Sequence, residues 1–244
     1  MKIKIVVCDC DGVILNSWPT AHKIIKQLRL EEGFSYTKED DALIRRDHWG
    51  LPGHSQFVKI VFPGKNPDKI YERWIKLEDS LKNKMKYFDG FENILCHLRK
   101  RKVITGLFTN RKLGSLERWI KIGRTSLLNY FDIIQTTGKT EDFRKKRLLG
   151  IHFITKYPKP DPRGFNQILN LAKMSGIDKK QIVYIGDTLI DKKAAFEAGI
   201  NFIGVLSGPL NSYKKWLLWG GHDKKFVIPD VTHFLAKLEE LERR

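Results

Sequence analysis

Two carboxylates, Asp9 and Asp11, stand one residue apart, directly after the apolar run Ile5-Val6-Val7-Cys8 and just before Gly12. A β-branched run of this kind reads as a buried strand, a place that acidic residues normally avoid. The carboxyl end of such a strand is where open α/β sheets bind ligands. Neither carboxylate stays ionised in a dry pocket without a cation, so the pair asks for a metal, a basic neighbour, or both. Further along, apolar stretches again end in polar residues. These are Thr109-Asn110, Lys159 within Lys-Pro-Asp-Pro, and Gly186-Asp187 followed by Asp191. Taken singly, each has a plain structural explanation as a turn, a rigid loop or a helix cap.

The elements that must position these residues follow an alternating rhythm. Residues 3–7, 103–108, 131–136, 182–185 and 202–206 read as strands, and helical spacing appears at 91–101, 112–122, 165–173, 192–198 and 231–241. Such alternation predicts an α/β fold, a doubly wound parallel sheet with helices on both faces. In that fold the polar residues at the strand ends converge on one crevice. Residues 20–86 hold no strand pattern. Helical spacing at 22–30 (Ile24, Ile25, Leu28) and 69–86 (Ile70, Trp74, Leu77, Leu81) predicts a small helical insert. The expected division is therefore a core of residues 1–18 and 87–244 and a helical cap domain of residues 19–86. Residues 138–157 read as an irregular basic loop.

Composition narrows the class. The chain has 244 residues, 41% hydrophobic and 30% charged, as expected for a globular protein with a sizeable core. No apolar run approaches the ~20 residues of a membrane span, and Met1-Lys2-Ile3-Lys4 carries no secretory pattern. Three cysteines make no disulfide framework, so a reducing, cytoplasmic setting is expected. A net charge of +17 fits an anionic partner or a lysine-rich solvated surface. Nucleic acid is one such partner, although no RRM, KH or zinc-finger pattern is present. The sequence sets no oligomeric state.

In order and spacing together, the motifs Asp9-Cys10-Asp11-Gly12-Val13, Thr109-Asn110, Lys159 and Gly186-Asp187-Thr188-Leu189-Ile190-Asp191 resemble those of the haloacid dehalogenase-like (HAD) superfamily. The flanking Phe88-Asp89-Gly90-Phe91 and Ala194-Ala195-Phe196-Glu197-Ala198-Gly199-Ile200 match as well. The resemblance covers about residues 1–18 and 87–240. It points to the phosphatase branch with a helical cap between the first two motifs, like phosphoglycolate phosphatase and β-phosphoglucomutase. It implies a Rossmann-like core and a Mg²⁺-dependent phosphatase acting on a small phosphomonoester. Asp9 would be the nucleophile that forms an aspartyl-phosphate, and Asp11 the acid and base. Thr109, Asn110 and Lys159 would bind the phosphoryl group. Asp9, Asp11 and Asp187 would hold Mg²⁺, with Asp191 at the metal or orienting its water or Lys159. Like charges 4 Å apart repel by about 4 kcal/mol at an effective dielectric near 20, and one lysine cannot offset several such pairs plus a phosphate.

Asp11 favours phosphoryl transfer over dehalogenation, because the dehalogenase branch lacks that second acid. A phosphomutase on the same core, a nucleic-acid-end phosphatase and a nucleic-acid-binding protein are the alternatives. Asn16 stands where many relatives have Asp, and Arg144-Lys145-Lys146-Arg147 lengthens the loop before Lys159. Within the cap, Arg45 and Trp49 beside Gly50-Leu51-Pro52-Gly53 form the expected specificity segment. Trp49 would stack on a ring or pack the cap interior, and Arg45 would pair with an anion or stay solvated.

Overall fold

Strand β1 (Ile5–Cys8) is buried along its whole length and sits at the middle of a seven-stranded sheet. The computed structural model describes residues 1–81, 86–119, 121–122, 125–138 and 151–243. The sheet order is β6 (Ile151–Thr155), β5 (Ile133–Thr137), β2 (Ile104–Phe108), β1, β7 (Ile182–Gly186), β8 (Asn201–Val205) and β9 (Val227–Ile228). Every pairing in it is parallel. Parallel sheets bury both faces, which is why β1 and β7 are continuous apolar runs rather than alternating ones.

Successive side chains of β1 feed two cores. Val6 and Cys8 pack with Phe91, Ile94, Leu95 and Leu98 of α5 (Phe91–Lys100) and with Phe234 and Leu238 of α10 (Phe234–Arg243). Ile5 and Val7 face the other layer, with Ile168 of α7 (Asn166–Met174), Ala194 and Ala195 of α8 (Leu189–Ala198), and Trp216 of α9 (Tyr213–Gly220). This period-two division makes a three-layer α/β/α sandwich.

Between β1 and α5 the chain makes a helical excursion: α1 (Trp18–Glu31), α2 (Lys38–Leu43), a π-helical turn (Ile44–His48), α3 (His54–Val61) and α4 (Pro67–Leu81). It has its own apolar cluster, including Ile24, Leu28, Ile44, Val58, Phe62 and Ile70. Its two crossings to the sheet run side by side. Leu15 bridges Tyr87 antiparallel, Asn16 N donates to Lys86 O at 2.8 Å, and Phe88 N donates to Ile14 O at 3.1 Å.

Several local expectations need correcting. The loop expected over 138–157 contains β6, which pairs with β5 at the sheet edge; residues 139–150, with Arg144–Arg147, lie outside the described residues. The helix expected over 112–122 ends earlier, as α6 (Leu113–Trp119). The short strand β3 (Lys121–Ile122) pairs antiparallel with β4 (Thr125–Ser126). β-branched Ile122 is a weak helix former and suits the strand. Both α9 and β9 lie in a stretch given no expected element. In α9 Trp216 is fully buried while Leu217 and Leu218 are mostly exposed, so apolar residues surround the helix and blur its period. Among the described residues no helix is long and apolar enough to cross a membrane.

His222, just after α9, is buried against the rings of Phe202, Trp216 and Phe226 at 5.3, 5.6 and 5.9 Å. Burial, reinforced by the charge of Lys192, pushes it down to about 4. A depressed imidazole stabilises the fold above its unfolded value and loses that contribution as pH falls towards 4. Thermal midpoints measured between pH 7 and 4 should therefore decline, and His222→Phe should make the decline shallower. An unchanged slope would show that His222 carries none of it.

Candidate active site

The site begins with register. Cys8 pairs with Leu107 of β2 and with Ile185 of β7, so three strands finish at one level. The residues that follow them, Asp9, Thr109 and Asp187, therefore share one edge of the sheet. Asp9 N donates to Ile185 O at 2.9 Å, and Thr109 N to Gln135 O at 3.0 Å. Lys159 reaches the same edge from the loop after β6. Its Nζ lies 2.9 Å from Asp9 Oδ1 and 2.6 Å from Asp191 Oδ1, and donates to the Tyr184 hydroxyl at 2.8 Å. Only 3% of Lys159 is exposed. The ammonium sits 5.5 Å from the ring centres of both Phe108 and Tyr184, which screen it from water.

Burial opposes the charge on Lys159, but Asp191 and Asp9 outweigh it and hold the ammonium above its ordinary range. For Asp9 the balance runs the other way. Burial raises it to about 7 despite the attraction of Lys159. Burial also raises Asp187, with Asp191 and Asp9 adding like-charge repulsion.

Asp187 is 1% exposed, and its buried Oδ2 has no hydrogen-bond partner. A Cβ at Gly12 would lie 1.9 Å from that oxygen and one at Gly208 2.1 Å away, so the cradle around it is built from glycine backbone. Oxygens of Asp9, Asp187 and Asp191 come within 4.8 Å of one another. A buried orphan oxygen beside a second carboxylate, against one ammonium, is a donor set suited to a hard divalent cation. Asp191 is more fully engaged. Its Oδ1 takes Lys159 and the Tyr184 hydroxyl (2.9 Å), and its Oδ2 takes Thr188 N (3.1 Å) and Thr188 Oγ1 (2.5 Å) in the capping box of α8. It is placed to orient Lys159.

Asp11 is gripped by Arg111, whose Nε and Nη2 donate to its two oxygens at 2.5 and 2.8 Å. Burial works against ionising Asp11, but the guanidinium outweighs it and holds the carboxyl below the usual range. Arg111 Nη1 also donates to Ser115 Oγ at 3.0 Å, and Nη2 is 3.8 Å from Glu78 Oε1 on α4. Asn110 works as a clasp: its Oδ1 accepts from Lys159 N (2.9 Å), and its Nδ2 donates to Lys159 O and to Gly50 O, both at 3.0 Å.

One cavity of about 760 Å³ is lined by Asp9, Asp11, Thr109, Asn110, Arg111, Lys159, Asp187 and Asp191 from the sheet side. The helical excursion closes it with Trp49, Phe57, Tyr71, Trp74, Ile75 and Glu78. Of the two specificity candidates, Trp49 lines the cavity. Arg45 does not: its Nε donates to Asp41 Oδ2 at 2.6 Å, its Nη1 to Pro209 O at 3.3 Å, and it lies 4.8 Å from the Trp18 ring centre.

Sequence reading passed over Arg111 and Tyr184. A cation directly after Thr109-Asn110 and a tyrosine inside an apolar strand, where its hydroxyl must find a partner, were the available signals.

Residues 6–205 match the family model for haloacid dehalogenase-like hydrolase. The chain is 23% identical over 228 residues to the N-acetylmuramic acid 6-phosphate phosphatase of Pseudomonas aeruginosa, covering 90% of this chain and 89% of that one. It is 25% identical over 242 residues to a phosphoglycolate phosphatase of Cereibacter sphaeroides, covering 94% and 98%. In fold it is similar to the crystal structure of a hydrolase from Pseudomonas syringae, with a TM-score of 0.69 at 19% identity, covering 98% of each chain. The chain belongs to the haloacid dehalogenase-like hydrolase family.

Proposed function

We propose that this hydrolase is a Mg²⁺-dependent phosphatase that cleaves a small phosphomonoester through an aspartyl-phosphate on Asp9. Residues 19–86 act as a cap over a core of residues 1–18 and 87–244. The observation that carries the reading is the buried Asp9 carboxylate, 2.9 Å from Lys159 Nζ and open to the same cavity as Asp11, Thr109 and Asp187. The phosphatase relatives named above support the reaction class.

In the first half-reaction an Asp9 oxygen attacks phosphorus, the bond from phosphorus to the alcohol oxygen breaks, and Asp11 gives that oxygen a proton. In the second, Asp11 takes a proton from a water that attacks phosphorus, and the bond to Asp9 breaks to release phosphate. Lys159 stabilises the charge that gathers as carboxylate and phosphate approach. Thr109 and the Asn110 backbone hold phosphoryl oxygens. Arg111 keeps Asp11 ionised while the cavity is empty. A dianionic substrate offers that guanidinium another partner and frees Asp11 to carry a proton. Asp9 and Asp187 would hold a divalent cation, which would supply further positive charge for phosphoryl transfer.

A screen of phosphomonoesters should show Mg²⁺-dependent phosphate release that excess EDTA abolishes. Asp9→Asn should lower turnover by about a thousandfold or more, and Asp11→Asn by about 10²–10⁴. Full activity in Asp9→Asn would overturn the mechanism.

Cation binding has its own readout in stability. At a hundred times its dissociation constant Mg²⁺ should stabilise the fold by about 2.7 kcal/mol, a rise of roughly 5–10 °C in thermal midpoint. Because Asp9 sits at about 7 without a cation, binding below that pH must first displace a proton. The rise should therefore shrink from pH 8 to pH 5. Asp187→Asn should remove most of it, and an equal rise in that variant would count against Asp187 as a ligand.

A further inference from the structure

The helical segment gives the cavity an aromatic wall. Trp49, Phe57 and Trp74 pack on one another with ring centres 6.0 to 6.4 Å apart. Trp49 also packs edge-on against Trp18 at 5.1 Å. These are ordinary aromatic-pair distances, so the rings brace one another and leave no slot between them. All three are only partly buried, and Tyr71 and Ile75 extend the same wall.

The charges around this wall matter as much as the rings. None of the described lysine or arginine side chains of the helical segment lines the cavity. Arg45 is held by Asp41 and Arg29 by the Val61 carbonyl and Asp40, while Arg73 reaches Glu31 and Glu32. Among the described residues, the one acidic or basic side chain that the helical segment gives the lining is Glu78, 7% exposed. Besides Lys159, the core lines the cavity with two cations, Arg111, which grips Asp11 and on the phosphatase reading turns to the phosphoryl group, and the exposed Lys112. On the helical side of the cavity a carboxylate on the alcohol half of a substrate would thus meet apolar rings and a buried acid, an unfavourable place for an unpaired anion. An uncharged ring would instead be removed from water against other rings.

We infer that the preferred substrate is a phosphomonoester whose alcohol carries an uncharged, apolar-faced ring, and that a small anionic alcohol such as glycolate is disfavoured. The inference rests on the phosphatase reading of the same site and adds the chemical class of the leaving group. It makes Trp74 and Trp49 specificity-determining residues.

The test compares 2-phenylethyl phosphate, ethyl phosphate and phosphoglycolate with the full-length enzyme and Mg²⁺. The first two have nearly the same leaving oxygen and differ in the ring. The expected result is a kcat/KM for the ring-bearing ester at least about tenfold above either of the others, carried mainly by KM. Trp74→Ala should reduce the ratio of phenylethyl to ethyl ester severalfold, and Trp74→Phe should restore part of it. Because the ratio is taken within one variant, a loss of folded protein does not alter it. Ile75→Lys should shift preference towards phosphoglycolate. Equal rates for the phenylethyl and ethyl esters, or a preference for phosphoglycolate in the unaltered enzyme, would overturn the inference. If none of the three esters is hydrolysed, the phosphatase reading fails separately. Calorimetric binding of the same esters to Asp9→Asn then still decides the ring preference, with equal affinities overturning it.

Discussion

One ammonium group holds the site together. Lys159 Nζ lies within 2.9 Å of both Asp9 and Asp191, under a floor made by the rings of Phe108, Phe165 and Tyr184. Without it, Asp9, Asp187 and Asp191 would crowd together with no nearby positive charge, and burial would force protons onto them. Much of the surrounding architecture keeps that one group in place. Asn110 ties both the N–H and the carbonyl of Lys159, Thr188 fixes the far oxygen of Asp191, and Tyr184 completes the ammonium's donor count. One positive charge against three acids still leaves a deficit. The partnerless oxygen of Asp187 marks where that deficit is concentrated.

A second cation, Arg111, divides the acids into two groups. By gripping Asp11 it takes that carboxylate out of the cluster around Lys159, so neighbouring aspartates acquire opposite tendencies. Burial dominates at Asp9 and raises it, whereas the guanidinium dominates at Asp11 and lowers it. Two titratable groups whose surroundings push them apart suit an enzyme that needs one nucleophile and one proton carrier. Arg111 also stands 3.8 Å from Glu78, and Asn110 holds the Gly50 carbonyl, so the helical excursion meets the chemistry through residues adjacent to Thr109.

The sheet and the positions of the acids were legible because they depend on local pattern. Continuous apolar runs ending in polar residues place Asp9, Thr109 and Asp187, and parallel register then brings them together without further information. The order of the strands and the partners of individual side chains depend on tertiary geometry. Arg45 and Arg111 show the difference. Both are arginines beside a motif, yet Arg45 pairs with Asp41 four residues before it, whereas only the fold brings the distant Asp11 to Arg111. Strand β6 was missed because the apolar residues Ile151, Phe153 and Ile154 are few, are interrupted by His152 and follow directly on a long basic stretch. Cys10, between the two acids, is fully buried among the apolar residues of the α5 and α10 layer.

The paired crossings at Leu15 and Tyr87 have a consequence for how this chain can vary. The helical excursion leaves and returns through neighbouring, hydrogen-bonded segments, so the backbone joins it to the sheet at two adjacent chain ends, and a few side chains, Asn110, Arg111 and Arg45, also reach across. Closing a loop whose ends already lie together costs little more when the loop lengthens, about 0.6 kcal/mol per doubling. Helices between those ends can therefore be added, lost or exchanged while β1 keeps its register with β2 and β7. In this molecule the walls of the cavity and its acidic floor are separately replaceable parts.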